Sequence, residues 1–377
     1  MRIGFDVSQT CASRAGCAWH ADALAKSLHS LVGSENLILY HQFGNWLNGD
    51  TKDGTVIEGC LSPFLECGYE EAKRIWMRIE SGEEALAGIP DVVQSNSFMA
   101  PSTGATPLVY TIHDLCFLTH PNFTTEENRR FCIQEFDNAI ERASAFHFIS
   151  QATLDDFNHL YPNYLETTRK PYRVIHSAPR LGSFRRTNPF FNLDAPWLFI
   201  GTIEPRKNIS GLLDAFEIYL QESKRPRSLH IAGAKGWLSD SLHQRFEKMT
   251  KGGSFKYLGR VSEDELNALY CKSFAFLFPS YYEGFGLPVI EAMNHSLPVI
   301  SNDIKSIREF ASNAATFTKF EEPDKVAAQM MALENDEAHY RDQGLKSEET
   351  ARKFNWSKTA SNLLELYESA IAYSNKK

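Results

Sequence analysis

Glu283 and Glu291 bracket a glycine turn in the stretch Pro279-Ser280-Tyr281-Tyr282-Glu283-Gly284-Phe285-Gly286-Leu287-Pro288-Val289-Ile290-Glu291-Ala292. The apolar run Phe274 to Phe278 ahead of it reads as a strand, and the spacing after Gly286 reads as a helix. A strand–turn–helix of this kind gathers backbone N–H groups and a helix N-terminus at one point, which suits an anion. Gly284 and Gly286 let a ligand come close to the backbone. The two carboxylates cannot bind that anion, and the hydroxyl groups of a sugar or ribose are their natural partners.

A second loop supplies the opposite charge. In Gly201-Thr202-Ile203-Glu204-Pro205-Arg206-Lys207-Asn208-Ile209, Arg206 and Lys207 follow the apolar run Trp197–Ile200 and precede a helical pattern over Ser210–Tyr219. Arginine donates in bidentate fashion and lysine acts as a point charge, a combination that fits a diphosphate. Taken alone, an Arg-Lys pair is also ordinary surface. Lys256-Tyr257-Leu258-Gly259-Arg260-Val261-Ser262 is a third strand end with a glycine, and by itself carries little.

Positioning these loops requires a particular architecture. In the second half, strand-like runs at Trp197–Ile200, Leu229–Ala232, Lys256–Leu258, Phe274–Phe278 and Pro298–Ser301 alternate with helical segments. In the first half, the runs are Ile3–Val7, Leu37–Tyr40, Asp91–Gln94, Leu108–Ile112, Ala145–Ile149 and Tyr172–Ile175. Helical spacing covers Ala18–Leu31 and Glu126–Ala143, and Ser150 is placed to cap a further helix. This alternation predicts two doubly wound α/β domains of parallel sheet, each with its ligand site beyond the carboxyl ends of its strands. The boundaries expected are 1–185 and 196–356, with a polar and basic linker over Arg180–Pro196 between them. A final amphipathic helix, Ser357–Tyr373, carries Ala360, Leu363, Leu364, Tyr367 and Ile371 on one stripe.

Composition limits the function classes. The chain has 377 residues, 43% of them apolar, and a net charge of −8, so two soluble domains are expected, and the acidic balance argues against a nucleic-acid partner, which calls for a basic footprint. A local basic stretch, Arg169, Lys170, Arg173, Arg180, Arg185 and Arg186, reads as a solvated linker or as a membrane or phosphate patch. The seven cysteines form no C-x-x-C pair, which points to a reduced compartment without a structural zinc. His20, His41, His120, His147 and His176 lack metal-ligand spacing and read as structural or surface residues. Trp19 and Trp237 read as core packing before cleft lining. With no signal-peptide pattern at Met1–Val7 and no bilayer-length apolar run, the protein is expected in the cytoplasm, free or peripheral on the cytosolic face of the membrane.

With these residues in view, the second half resembles the donor domain of family 4 glycosyltransferases of the GT-B fold. The motifs that carry the likeness are Gly201 to Asn208, Ala232-Gly233 with Gly236-Trp237, Gly259-Arg260-Val261, Pro279 to Ala292 and Leu297-Pro298-Val299-Ile300. A looser likeness continues through Gly16, Thr111-Ile112-His113-Asp114 and Ser150. The chain departs from the family pattern at Thr202, at Ala15-Gly16-Cys17-Ala18 with its single glycine, and at Asn294-His295-Ser296.

The resemblance implies a GT-B architecture of two Rossmann-like domains facing across a cleft: 1–185 for the acceptor, 196–356 for the donor, and 357–377 returning to the first. It implies that Glu283 meets the donor sugar, Glu291 the ribose, and Arg206 with Lys207 the diphosphate. Backbone around Gly284, Phe285, Gly286 and Leu287 would hold sugar and phosphate oxygens, and Gly259, Arg260 and Val261 would lie at the base. Gly16 would admit the diphosphate to the first domain. His113 would face the donor sugar as a positioning and electrostatic residue, with Asp114 orienting it, touching the acceptor or capping the next turn.

The activity expected from the resemblance is a retaining hexosyl transfer from a nucleotide diphosphate sugar to a glycan or lipid-linked glycan in surface polysaccharide synthesis. Mannose from GDP-mannose is the first candidate; a UDP- or dTDP-sugar donor, or a non-catalytic nucleotide-sugar-binding protein, are the alternatives. The metal-dependent glycosyltransferase fold uses an Asp-x-Asp that this chain lacks. Fixed cations and a helix N-terminus are therefore expected to neutralise the leaving group, without metal or cofactor. A dehydrogenase would need G-x-G-x-x-G after the first strand, and residues 4–16 do not supply it. A phosphorylase would need a lysine for pyridoxal phosphate, for which the sequence offers no defensible candidate.

Overall fold

A computed structural model describes residues 1–11, 16–44, 51–180, 191–192, 194–236 and 240–376. The chain forms two units, Met1–Arg180 with Asn355–Lys377, and Leu181–Phe354.

The first unit runs β1 (Ile3–Asp6), α1 (Gly16–Val32), β2 (Leu37–Tyr40), α2 (Tyr69–Glu80), β3 (Val92–Ser95), β4 (Leu108–Ile112), α3 (Cys116–Thr119), α4 (Glu126–Arg142), β5 (Ala145–Phe148), α5 (Gln151–Leu160), α6 (Tyr164–Thr168) and β6 (Tyr172–Val174). Its six strands are all parallel, in the order β2-β1-β3-β4-β5-β6. Strands buried on both faces are mostly apolar, and the two-residue period then divides their side chains between two cores. Leu37 and Leu39 pack with Phe5, Leu24 and Leu28 on one face. Ile38 and Tyr40 pack with Trp76, Tyr110, Phe136 and Phe146 on the other. Ser150 caps α5 by accepting from the Thr153 N–H.

The second unit runs β7 (Trp197–Ile200), α7 (Ile209–Glu222), β8 (Leu229–Ala232), α8 (Asp240–Lys251), β9 (Phe255–Gly259), α9 (Glu263–Lys272), β10 (Ala275–Phe278), α10 (Leu287–Asn294), β11 (Val299–Ser301), α11 (Lys305–Ala311), β12 (Ala315–Phe317), α12 (Pro323–Asn335) and α13 (Glu337–Ala351). Its sheet is again six-stranded and parallel, in the order β12-β11-β10-β7-β8-β9. The first strand, β7, therefore lies beside the fourth, β10, and the strand order reverses between them. That reversal is the topological switch point of a doubly wound sheet, where ligands bind.

The last helix, α14 (Trp356–Ser374), belongs to the first unit. Ala360, Leu363, Leu366, Tyr367 and Ala370 are its buried face, while Leu364 and Ile371 are only partly covered. Trp356 Nε1 donates to the Pro179 carbonyl (2.9 Å) and Tyr373 Oη to that of Thr168 (2.9 Å).

Sequence patterning did not expose α2, α3, α6, α11, α12, α13 or β12. Helix α2 buries only Ala72, Trp76 and Ile79 among charged neighbours, and α13 buries Gly344, Ser347 and Thr350 beside Tyr340 and Ala351. The small and polar buried face of α13 leaves no hydrophobic period to read, whereas Ala72, Trp76 and Ile79 of α2 do follow helical spacing. Most of the expected linker, with Arg185 and Arg186, lies outside the described residues, as do Ala15 and Trp237.

Candidate active site

Two loops leave the carboxyl ends of β7 and β10 on either side of the switch point. The Tyr281 N–H donates to the Arg206 carbonyl (2.9 Å), which ties them together. Asn302 Nδ2 reaches the carbonyls of Pro279 (3.3 Å) and Ser280 (3.1 Å), and Ser306 Oγ that of Glu283 (2.8 Å). The β7 loop is equally fixed from the side of β8. A Cβ on Gly233 would stand 1.9 Å from the Gly201 carbonyl oxygen, so only glycine permits that crossing. Asn208, in the left-handed region at φ 48°, caps α7 by accepting from the Gly211 N–H (3.2 Å).

These loops bring together Arg206, Lys207 and Glu283. Lys207 Nζ lies 2.5 Å from Glu283 Oε1, and Arg206 Nη1 lies 2.7 Å from Glu283 Oε2 and 3.0 Å from the Tyr282 carbonyl. Glu204, which has no role in the sequence reading, takes the other edge of Arg206: its Oε1 accepts from Nε (3.1 Å) and Nη2 (2.8 Å). Burial alone would raise the Glu283 pKa, but the two cations outweigh it and hold it at about 2. Burial and the adjacent Arg206 push Lys207 down, against the pull of Glu283. The cations expected for a diphosphate are thus already neutralised pairwise by two carboxylates.

Glu291, on α10, is fully buried. The Tyr270 hydroxyl donates to its Oε2 (3.0 Å), and His295 stacks on Tyr270 with centroids 5.1 Å apart while bonding the Glu291 carbonyl (2.8 Å) and Asn267 Oδ1 (2.8 Å). Gly286 caps α10 at φ 101°, where a Cβ would lie 2.2 Å from Ile307 Cδ1. Gly284 is buried in the same turn and Leu287 is half-buried at the start of α10. The Phe285 ring packs on Phe310 and Phe354, so this residue has only backbone to offer a ligand. Gly259 ends β9 at φ 65°, followed by exposed Arg260 and half-buried Val261.

In the first unit, His113 follows β4 and its Nε2 donates to the Asn96 carbonyl (3.0 Å), fixing the tautomer. Burial lowers its pKa, against that hydrogen bond and Asp114. Asp114 Oδ1 accepts from the Cys116 N–H (3.0 Å), so it caps the next turn. The Asn96 loop is in turn held by buried Asp6. One of its oxygens accepts from Ser8 N–H (2.9 Å) and Oγ (2.6 Å), the other from Asn96 N–H (3.0 Å) and Ser97 Oγ (2.6 Å). Asp6 ends β1 beside β3, at the strand-order reversal of this sheet, a signal visible only once the order is known.

Gly16 is exposed at the start of α1, and a Cβ there would meet nothing within 4 Å; the described structure gives no steric need for glycine. His20, His41 and His147 are buried within the first unit, bonded to Ser177 Oγ and to the carbonyls of Thr55 and Ile175, respectively. Among the described residues, the basic stretch does not form one patch. Lys170 is buried and caps the end of α4 through the carbonyls of Ile140 (2.7 Å) and Glu141 (3.0 Å), Arg173 pairs with Glu365, and Arg180 lies over the Trp19 ring. Among the described residues, no cluster of three or more His, Cys, Asp or Glu could hold a metal ion, and no helix is long and apolar enough to cross a membrane.

Residues 184–351, which contain both switch-point loops, match the family described as Glycosyl transferases group 1. O-antigen chain mannosyltransferase B of Escherichia coli is 27% identical over 270 residues, covering 69% of this chain and 69% of that relative. The fold recurs in the crystal structure of Anabaena Alr3699/HepE in complex with UDP and glucose. The TM-score is 0.71 at 16% identity, over 97% of this chain and 98% of that one. The chain is a glycosyltransferase of the GT-B fold. A higher identity, 36% over 153 residues, links the glycosyltransferase to serotype-specific mannosyltransferase WbdA of Escherichia coli, but this covers 40% of the chain and only 19% of that relative.

Proposed function

We propose that this glycosyltransferase moves mannose from GDP-mannose to a glycan or lipid-linked glycan during surface polysaccharide synthesis, with retention at the anomeric carbon and without a metal. The observation that carries this reading is the Arg206–Lys207–Glu283 cluster at the β7/β10 switch point, within the stretch that matches the family. The mannosyltransferase names of the relatives support the choice of sugar.

In this reading Lys207 and Arg206 stabilise the departing nucleoside diphosphate, aided by the α10 N-terminus beyond Gly286. The bond from the anomeric carbon to the phosphate oxygen breaks, the acceptor hydroxyl oxygen bonds to that carbon, and its proton passes to a phosphate oxygen. Glu283, ionised and buried, reads a sugar hydroxyl as an acceptor and is not a general acid. Glu291 reads the ribose. His113, kept neutral with Nε2 tethered, offers Nδ1 as an acceptor and so positions the sugar without removing a proton. Gly16 is assigned to the approach of the diphosphate, and Gly259 to Val261 to the base.

A thermal-shift panel of GDP, UDP, dTDP and their sugars tests the donor. A ligand at 100 times its Kd adds about 2.7 kcal/mol of stability. A shift with GDP and GDP-mannose alone supports the reading, and a shift confined to UDP or dTDP species replaces the donor. Full transfer activity in EDTA is expected.

A further inference from the structure

We propose that Glu204 competes with the donor diphosphate for one edge of Arg206, and so sets how tightly the donor is held. This rests on the reading of the site as one for a nucleoside diphosphate sugar.

The guanidinium of Arg206 presents two different sides. Nη1 is turned to Glu283 Oε2 (2.7 Å) and the Tyr282 carbonyl (3.0 Å), both part of the β10 loop. Nε and Nη2 form the fork that best matches a carboxylate or phosphate, and both donate to Glu204 Oε1, at 3.1 and 2.8 Å. A phosphate seeking bidentate contact with Arg206 must take that fork, and Glu204 holds it.

Exposure decides which carboxylate gives way. The Glu204 side chain is 30% exposed and that of Glu283 is 9% exposed. An exposed ion pair is weak and screened by salt, while breaking a buried one strands a charge. The exchange therefore occurs at Glu204 and leaves Glu283 in place. It needs only side-chain rotation, because the Glu204 backbone is fixed: its carbonyl accepts from the Lys207 N–H at 2.9 Å. With Glu204 in place, the two cations face two anions. Once it swings away, Arg206, Lys207 and Glu283 present a net positive charge to the diphosphate.

The test is isothermal titration of wild type, Glu204→Gln and Glu204→Ala with GDP, UDP and dTDP, with the matching uncharged nucleosides as controls. Melting curves verify that each variant is folded. Both substitutions are expected to tighten nucleoside diphosphate binding by about two- to fivefold, the affinity equivalent of a partly exposed ion pair. The gain should shrink as salt rises, and nucleoside affinity should stay unchanged. Unchanged or weaker diphosphate binding in both variants overturns the role of Glu204, as does an equal gain for the nucleoside. If wild type binds none of the three diphosphates, the donor-site reading falls and this inference with it.

Discussion

Lys207 Nζ stands 2.5 Å from Glu283 Oε1, and both side chains are buried. Glu283 is what chiefly compensates Lys207 for lost hydration, while Glu283 is itself compensated by both Arg206 and Lys207. Lys207 also lies 5.8 Å from the Phe278 ring centroid, so the pair is set against the apolar end of β10.

Replacing Glu283 therefore acts on two properties at once. Glu283→Ala leaves Lys207 buried without its carboxylate, and a broken buried pair costs about 3–5 kcal/mol. The rate of transfer should fall by roughly 10²–10³-fold, the loss typical of a group that acts in the transition state. Lys207→Met with Glu283→Gln removes both charges and should recover much of the stability but none of the rate. Parallel melts and initial rates check this, and a single variant active within a few-fold of wild type would remove Glu283 from the mechanism.

Acid should loosen the two units in different pH windows. His20, His113 and His147 all have lowered pKa values, chiefly through burial, with His147 at about 4. A folded pKa below the unfolded 6.5 means the unfolded chain binds more protons, so stability is lost as pH falls from 6.5 towards 4. Glu283 is depressed from 4.5 to about 2, so its contribution is present above 4.5 and disappears as pH falls towards 2. Hydrogen-exchange protection, taken relative to the intrinsic rate at each pH, should fall between pH 6.5 and 4 at β5 before β10. Simultaneous loss would contradict this order.

Two glycines of the expected site should behave oppositely. Gly286→Ala forces a side chain into φ 101° and against Ile307 Cδ1 at 2.2 Å, at a cost of about 1–3 kcal/mol. Gly16→Ala meets nothing within 4 Å and should leave the melting temperature within a degree or two, in keeping with its exposure. Because stability stays constant, any rise in donor KM in Gly16→Ala reads directly on the proposed approach of the diphosphate.

Much of this site was legible in sequence because parallel α/β folds concentrate ligand groups in strand-end loops. Arg206, Lys207, Glu283 and Glu291 each follow from a short apolar run, a glycine and a helical pattern. Pairing was not legible: nothing in the spacing shows that Lys207 spends its charge on Glu283, 76 residues away, or that Glu204 turns back onto Arg206. The tether on His113 comes from a backbone carbonyl, Asn96, which has no sequence signature. The same limit applies to Lys170, which reads as part of a basic surface and is consumed by the carbonyls that end α4.

Glu291 and Tyr270 separate a ribose contact from a purely structural carboxylate. Glu291 is enclosed, and the Tyr270 hydroxyl approaches Oε2 at 3.0 Å. Glu291→Gln keeps the shape of the side chain but weakens acceptance from any hydroxyl. If Glu291 binds the ribose, the variant should raise donor KM by about tenfold, the loss of one charge-assisted hydrogen bond, with kcat little changed. It should also lose discrimination between the ribonucleotide donor and its 2′-deoxy analogue. Tyr270→Phe frees one lone pair of Glu291 without removing its charge, and should move the melting temperature more than KM. A Glu291→Gln variant with a lowered melting temperature, unaltered KM and full discrimination would assign this carboxylate to the Tyr270–His295 packing alone.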